Sequence, residues 1–84
     1  MGICIAMPTT AISLAFGRVL REQRERASLS QEELAKAAQL NRTYISLLER
    51  GIRQPTLETL FRIADALSVA PSTLVAKTTT ELSK

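Results

Sequence analysis

The sequence predicts an all-α fold, a compact five-helix bundle. Three observations carry this. Apolar residues recur three and four positions apart along most of the chain, the period of a helix with one buried face. Residues that cap helix amino termini, Ser30, Asn41 and Thr56, stand where such segments begin. No segment makes a convincing strand.

At 84 residues the chain suits one domain. So short a chain buries a modest core, and pairing with a second copy would add useful stability. Hydrophobic residues make up 45% and aromatics only 4%, which suits a small aliphatic core. A net charge of +3 and a pI of about 9.6 are compatible with a polyanionic partner without demanding one. There is one cysteine, Cys4, and no histidine. An internal disulfide, the usual Cys/His zinc site and a His-assisted nucleophile are therefore excluded. No catalytic residue, metal or cofactor is expected. No apolar run approaches the ~18 residues of a membrane span. The opening MGICIAM lacks a cationic stretch and makes a poor signal peptide. The chain reads as cytoplasmic, with no membrane partner.

The elements follow in order. Residues 1–10 carry apolar Ile3, Cys4, Ile5 and Met7, interrupted by Pro8, without a helical period. They read as a flexible leader, because termini are loose unless tied down; the alternative is an arm packed on the domain or on a partner subunit. The domain spans residues 11–76. Its first helix runs from about Thr10 or Ala11 to Ala27, with Ile12, Phe16, Val19 and Leu20 inward. Arg18, Arg21, Glu22, Glu25 and Arg26 decorate the outside, Glu22 and Arg26 at the favourable i,i+4 spacing. Ala27, Ser28 and Leu29 connect, and Leu29 tucks inward. Ser30 and Glu33 form the S-x-x-E capping box of the second helix, which buries Leu34, Ala35 and Ala38. Leu40 closes a bend, and Asn41 caps the third helix.

At roughly 100° per residue, the third helix turns Ile45 and Leu48 inward, flanked by Tyr44 and Glu49. Arg42, Thr43, Ser46, Leu47 and Arg50 face outward. That face holds two guanidinium groups and no acid, whereas an ordinary surface helix mixes signs. Gly51 suits the left-handed position that ends a helix, and Ile52, Arg53, Gln54 and Pro55 form a loop. Thr56 caps a fourth helix that reaches about Leu67. Leu57, Leu60, Phe61, Ala64 and Leu67 form its apolar stripe, and Ile63 widens it. Pro71 opens a short fifth helix carrying Leu74 and Val75. Residues 77–84, KTTTELSK, lack a core pattern and read as a flexible tail. Leu20, Leu34, Ala35, Ile45, Leu48, Leu60 and Leu67 are expected to be buried.

The stretch SQEELAKAAQLNRTYISLLER, residues 30–50, resembles the helix-turn-helix of the phage repressor and Cro type, the xenobiotic-response-element-like family. The resemblance rests on Gln31 opening the first helix of the pair and Ala35 where the two helices cross. Leu34, Ala38, Leu40, Ile45 and Leu48 stand at the apolar positions. Glu49, Arg50 and Gly51 close the motif, with Pro55 shortly after. It extends over residues 16–75. Gln39 and Ser28 depart from it, standing where the family commonly has glycine. A left-handed Gln39 costs on the order of 1 kcal/mol.

The resemblance implies a lambda-repressor-like fold and a sequence-specific, double-stranded DNA-binding transcriptional regulator. The second helix of the pair would enter the major groove. Arg42 and Thr43 would then lie deepest, with Ser46 one turn on. Arg42 would donate to guanine O6 and N7, and Thr43 would meet a thymine methyl or a base edge. Leu47 would touch a thymine methyl or sugar, and Arg50 a base further along or a phosphate. Phosphate contacts fall to Gln31 and the amino terminus of its helix, Asn41, Tyr44, Arg53, Gln54 and Thr56. An ion pair between Arg24 and Glu49 is also implied. The segment LNRTYISLLERG is similar to that of restriction–modification controller proteins. One recognition helix covers too few base pairs to find a site, so a homodimer on a palindromic operator is expected. Val69, Leu74 and Val75, left over after four helices fill the core, are its expected interface, with Ile3 to Met7 as an addition; the alternative is that Leu74 caps the core of the monomer. The alternatives are a protein-interaction module or an antitoxin-like partner that keeps the fold.

Overall fold

Four residues with left-handed backbones divide the chain into five helices: Ser28 (φ 60°), Gln39 (φ 59°), Gly51 (φ 76°) and Ser68 (φ 60°). The computed structural model describes residues 9–84, so the leader, up to Pro8, lies outside the described residues. The helices are α1 (Thr9–Arg26), α2 (Gln31–Ala38), α3 (Arg42–Glu49), α4 (Leu57–Ala66) and α5 (Pro71–Leu82). Thr9 and Thr10, expected in the leader, already belong to α1.

Each left-handed residue is followed by an aliphatic one whose N–H reaches back into the helix just ended. Leu29 donates to the Arg24 carbonyl at 3.1 Å and Leu40 to that of Ala35 at 2.8 Å. Ile52 donates to the Leu47 carbonyl at 3.0 Å and Val69 to that of Ala64 at 3.0 Å. This is the Schellman arrangement, which satisfies carbonyls that a helix end leaves open. Leu29, Leu40 and Val69 then pack against the core, while Ile52 stays exposed.

The amino termini are closed as their sequences direct. The Ser30 hydroxyl accepts from the Glu33 N–H at 3.0 Å, and the Glu33 carboxylate accepts from the Ser30 N–H at 2.7 Å. Asn41 Oδ1 accepts from the Thr43 N–H at 2.7 Å, and Thr56 Oγ1 from that of Thr59 at 3.1 Å. Pro71 opens α5, where its missing N–H leaves nothing unpaired.

Leu20, Leu34, Ala35, Ile45, Leu48 and Leu67 are buried, joined by Phe16, Val19, Ala38, Ile63, Ala64 and Leu74. α1 lies against α3 and α5, and α2 against α3 and α4. Gly17 sits at the crossing of α1 and α3. A Cβ there would lie 2.5 Å from the Glu49 carbonyl oxygen and 2.6 Å from that of Leu48. Only a hydrogen at this position lets the two backbones touch.

Three expectations are corrected. First, residues 77–84 are not a tail: α5 continues to Leu82. Thr78 is buried, and Arg18 pairs with Glu81 at 3.6 Å, so the last turns are held along α1. The apolar period fails there because threonine replaces aliphatics. The hydroxyls of Thr78, Thr79 and Thr80 each donate to the carbonyl four residues back, hiding their polarity. Second, Leu57 and Phe61 are exposed, at 70% and 55%, and Leu60 is only half-buried. The core face of α4 is centred on Ile63, Ala64 and Leu67, and Leu57 and Phe61 fall roughly 60–100° to one side of Leu60 at the helical step. Third, Leu74 is fully buried within the monomer, where α5 closes the core, and is not available to a second subunit. Among the described residues no single helix is long and apolar enough to cross a membrane.

Candidate nucleic-acid interface

The capping box sets where α2 begins, and the bend at Gln39 and Leu40 sets how α3 leaves it. α3 turns Ile45 and Leu48 into the core and leaves Arg42, Thr43 and Arg50 exposed. Ser46 and Leu47 are partly exposed between them. The five residues expected to read bases therefore lie along one outward strip. Tyr44 is half-buried against the core, and Asn41 is exposed with its side-chain oxygen committed to the cap. Arg53 and Gln54 project from the loop after α3, beside Thr56 at the start of α4. The Thr56 hydroxyl is occupied by Thr59, so what this terminus offers an anion is its first N–H groups.

Glu49, the single acid of α3, is turned inward. Arg24 Nε donates to Glu49 Oε2 at 2.5 Å and Nη2 donates to Oε1 at 3.1 Å, while Nη1 donates to the Leu29 carbonyl at 2.8 Å. The side chains are 12% and 4% exposed, and this is a part-buried, two-pronged pair. Its hydrogen bonds to Glu49 hold the Arg24 guanidinium above its already high ordinary pKa, against the opposing effect of burial. The pair ties the end of α3 to α1 and to the connector before α2.

Gln31 adds a third tie: its amide donates from Nε2 to Glu49 Oε1 at 3.0 Å. The side chain expected to hold a phosphate is thus drawn toward Glu49. The N–H groups of the first turn of α2 point off the helix end beside it. With Glu49 neutralised inside, the outward strip is left basic. None of the ion pairs among the described residues uses Arg42, Arg50 or Arg53.

Sequence reasoning missed two residues that shape this surface. Gly17 permits the close crossing that seats α3, and its signal was a lone glycine inside a helical pattern. Leu14, 41% exposed, lies under Gly51, where a Cβ would approach its Cδ2 to 2.6 Å. It supports the turn from which Arg53 projects.

The helix-turn-helix family matches residues 20–74, from the middle of α1 into α5. The chain belongs to that family, in its phage repressor and Cro form. Control protein C.BamHI of Bacillus amyloliquefaciens is 43% identical over 72 residues, covering 84% of this chain and 89% of the relative. The restriction-modification controller protein C.AhdI from Aeromonas hydrophila is similar in structure, with a TM-score of 0.72 and 40% identity over 74% of this chain and 94% of that one. The restriction-modification controller protein C.Esp1396I, as a tetramer in complex with its natural 35 base-pair operator, matches with a TM-score of 0.79 and 30% identity. That match covers 87% of this chain and 96% of the other. The residues matched by the family include all of α2 and α3.

Proposed function

We propose that the chain is a sequence-specific, double-stranded DNA-binding transcriptional regulator, a controller of the restriction–modification type, acting in the cytoplasm as a homodimer on a palindromic operator. The observation that carries this is the outward strip of α3, with exposed arginines at both ends and its one acid buried against Arg24. A helix of this kind fits the major groove, where Arg42 reaches guanine O6 and N7 in two-pronged fashion. Thr43 and Ser46 offer hydroxyls to base edges, and Leu47 offers methyl groups to a thymine. Arg50 takes a base further along or a phosphate. The amino termini of α2 and α4, with Asn41, Tyr44, Arg53 and Gln54, hold the backbone and set register.

The family relationship supports the same reading, because a relative of 30% identity is described on its operator DNA as a tetramer. The dimer contact passes from Leu74, which the core occupies, to Val75, 51% exposed, with Val69 partly buried against the core before α5. No catalytic role is proposed.

The test is selection of bound duplexes from random DNA at near-physiological salt. The expected result is a palindromic consensus with half-site centres about one helical turn, roughly 34 Å, apart. No binding even at low salt would transfer the assignment to a protein-interaction module or antitoxin-like partner.

A further inference from the structure

α2 and α3 are joined at one end by the bend at Gln39 and Leu40. A side-chain hydrogen bond closes their other ends. Gln31 is the first residue of α2 and Glu49 the last of α3, so both stand as far from the bend as their helices reach. An eight-residue helix is roughly 12 Å long, and a tilt of about 10° at the bend would move its far end by roughly 2 Å. Across that open end, Gln31 Nε2 donates to Glu49 Oε1 at 3.0 Å. The bond spans 18 positions in the sequence and is part-buried, where a hydrogen bond to a carboxylate is stronger than on the open surface. Arg24 holds the same carboxylate from α1, so Gln31 meets an acceptor that is already fixed. Neither helix needs Gln31 for its own integrity. Ser30 and Glu33 cap α2, and Asn41 caps α3.

We infer that Gln31 is a positioning residue for sequence recognition: its bond to Glu49 fixes the far end of the outward strip, at Arg50, against the first turn of α2. The inference rests on the proposed function and names the contact that holds the reading helix in register with the helix end before it. A binding constellation works only when its parts are held within about 0.5 Å and 10–20°. Arg42 stands beside the bend, where the chain itself holds it. Arg50, next to Glu49, depends on the tie at the open end. Loss of the tie therefore falls on Arg50 and spares Arg42. It also falls on specific binding, because attraction to phosphates without regard to sequence tolerates looser geometry.

The test uses the full chain with Gln31→Met, which keeps the length of the side chain and removes its donor, with circular dichroism confirming that the variant is folded. Affinities are measured at several salt concentrations for the operator recovered by the selection above and for a scrambled duplex. Operator binding is expected to weaken by roughly fivefold or more and scrambled binding by less than about twofold, with the salt slope unchanged. Equal weakening of both duplexes would make Gln31 a direct ligand of the DNA backbone and overturn the inference. An unchanged operator affinity overturns it too. Double-mutant cycles on the operator then locate the effect. Gln31→Met should be coupled to Arg50→Ala and additive with Arg42→Ala. Coupling to both alike, or to neither, overturns the assignment to Arg50. A parent for which no operator is recovered defeats the DNA reading itself and the inference with it, whereas a failure confined to the variants leaves that reading standing.

Discussion

Gly17 and Gln39 show how single residues set this structure against or with the backbone. Gly17→Ala drives a Cβ to 2.5 Å of the Glu49 carbonyl oxygen, a backbone atom that cannot rotate away. The expected cost is about 1–3 kcal/mol, the range for overpacking, measured by urea denaturation. Operator affinity should fall as well, since the displaced element is α3. Gln39, Ser28 and Ser68 act the other way, holding left-handed backbones that glycine adopts freely. Replacing each with glycine relieves about 1–2 kcal/mol of strain and returns part of it as unfolded-chain entropy. A net gain of about 0.5–1 kcal/mol per site is expected in thermal melts. The part-buried Arg24–Glu49 pair gives the third residue-scale prediction. Removing either partner alone strands a poorly solvated charge and should cost less than the about 3–5 kcal/mol of a fully buried pair, while replacing both with apolar residues of similar size should cost less again. A double-mutant cycle without coupling would contradict this.

At the scale of elements, the proposed function divides the DNA contacts between α3 and the loop after it. Arg42→Ala should weaken specific binding by about 1–3 kcal/mol and relax the preference at one position in each half-site. Arg53→Ala should weaken all sequences alike and make the salt dependence shallower by about one unit of slope. Titrations of operator and scrambled duplexes over a range of salt separate the two; an Arg42→Ala variant equally weakened on both would remove Arg42 as a base reader. α5 makes its own prediction. Its last turns hold buried Thr78 and the Arg18–Glu81 pair, so deleting residues 77–84 should destabilise the domain by about 1–3 kcal/mol. A truncated chain with an unchanged melting temperature would mean that these turns carry no packing.

For the whole molecule, the proposed function requires two recognition helices held a fixed distance apart. Inserting about five base pairs between half-sites, half a helical turn, puts the second on the opposite side of the duplex. Affinity should then drop to that of an isolated half-site, which a gel-shift series across spacer lengths would reveal. Equal affinity at all spacings would mean that the two subunits are not rigidly joined.

Much of this architecture was legible in the sequence because its determinants are local. Capping oxygens sit two or three residues from the amides they meet, and Leu34, Ala38, Ile45 and Leu48 follow helical spacing, so α2 and α3 could be placed with their inward and outward faces. The outward strip from Arg42 to Arg50 follows from the same angular rule. The Arg24–Glu49 pair joins residues 25 positions apart, and only the family resemblance anticipated it. Tertiary packing decided the rest. Leu57, Phe61 and Leu74 are all aliphatic or aromatic and all at helical spacing, yet only Leu74 is inside. Which apolar residue is buried depends on where the neighbouring helix lies, and spacing along one helix carries no record of that. The same holds for the threonines of α5, polar by composition but presenting methyl groups once their hydroxyls turn to the helix backbone. It holds for Gly17, whose missing side chain acquires meaning only when α3 is laid across it.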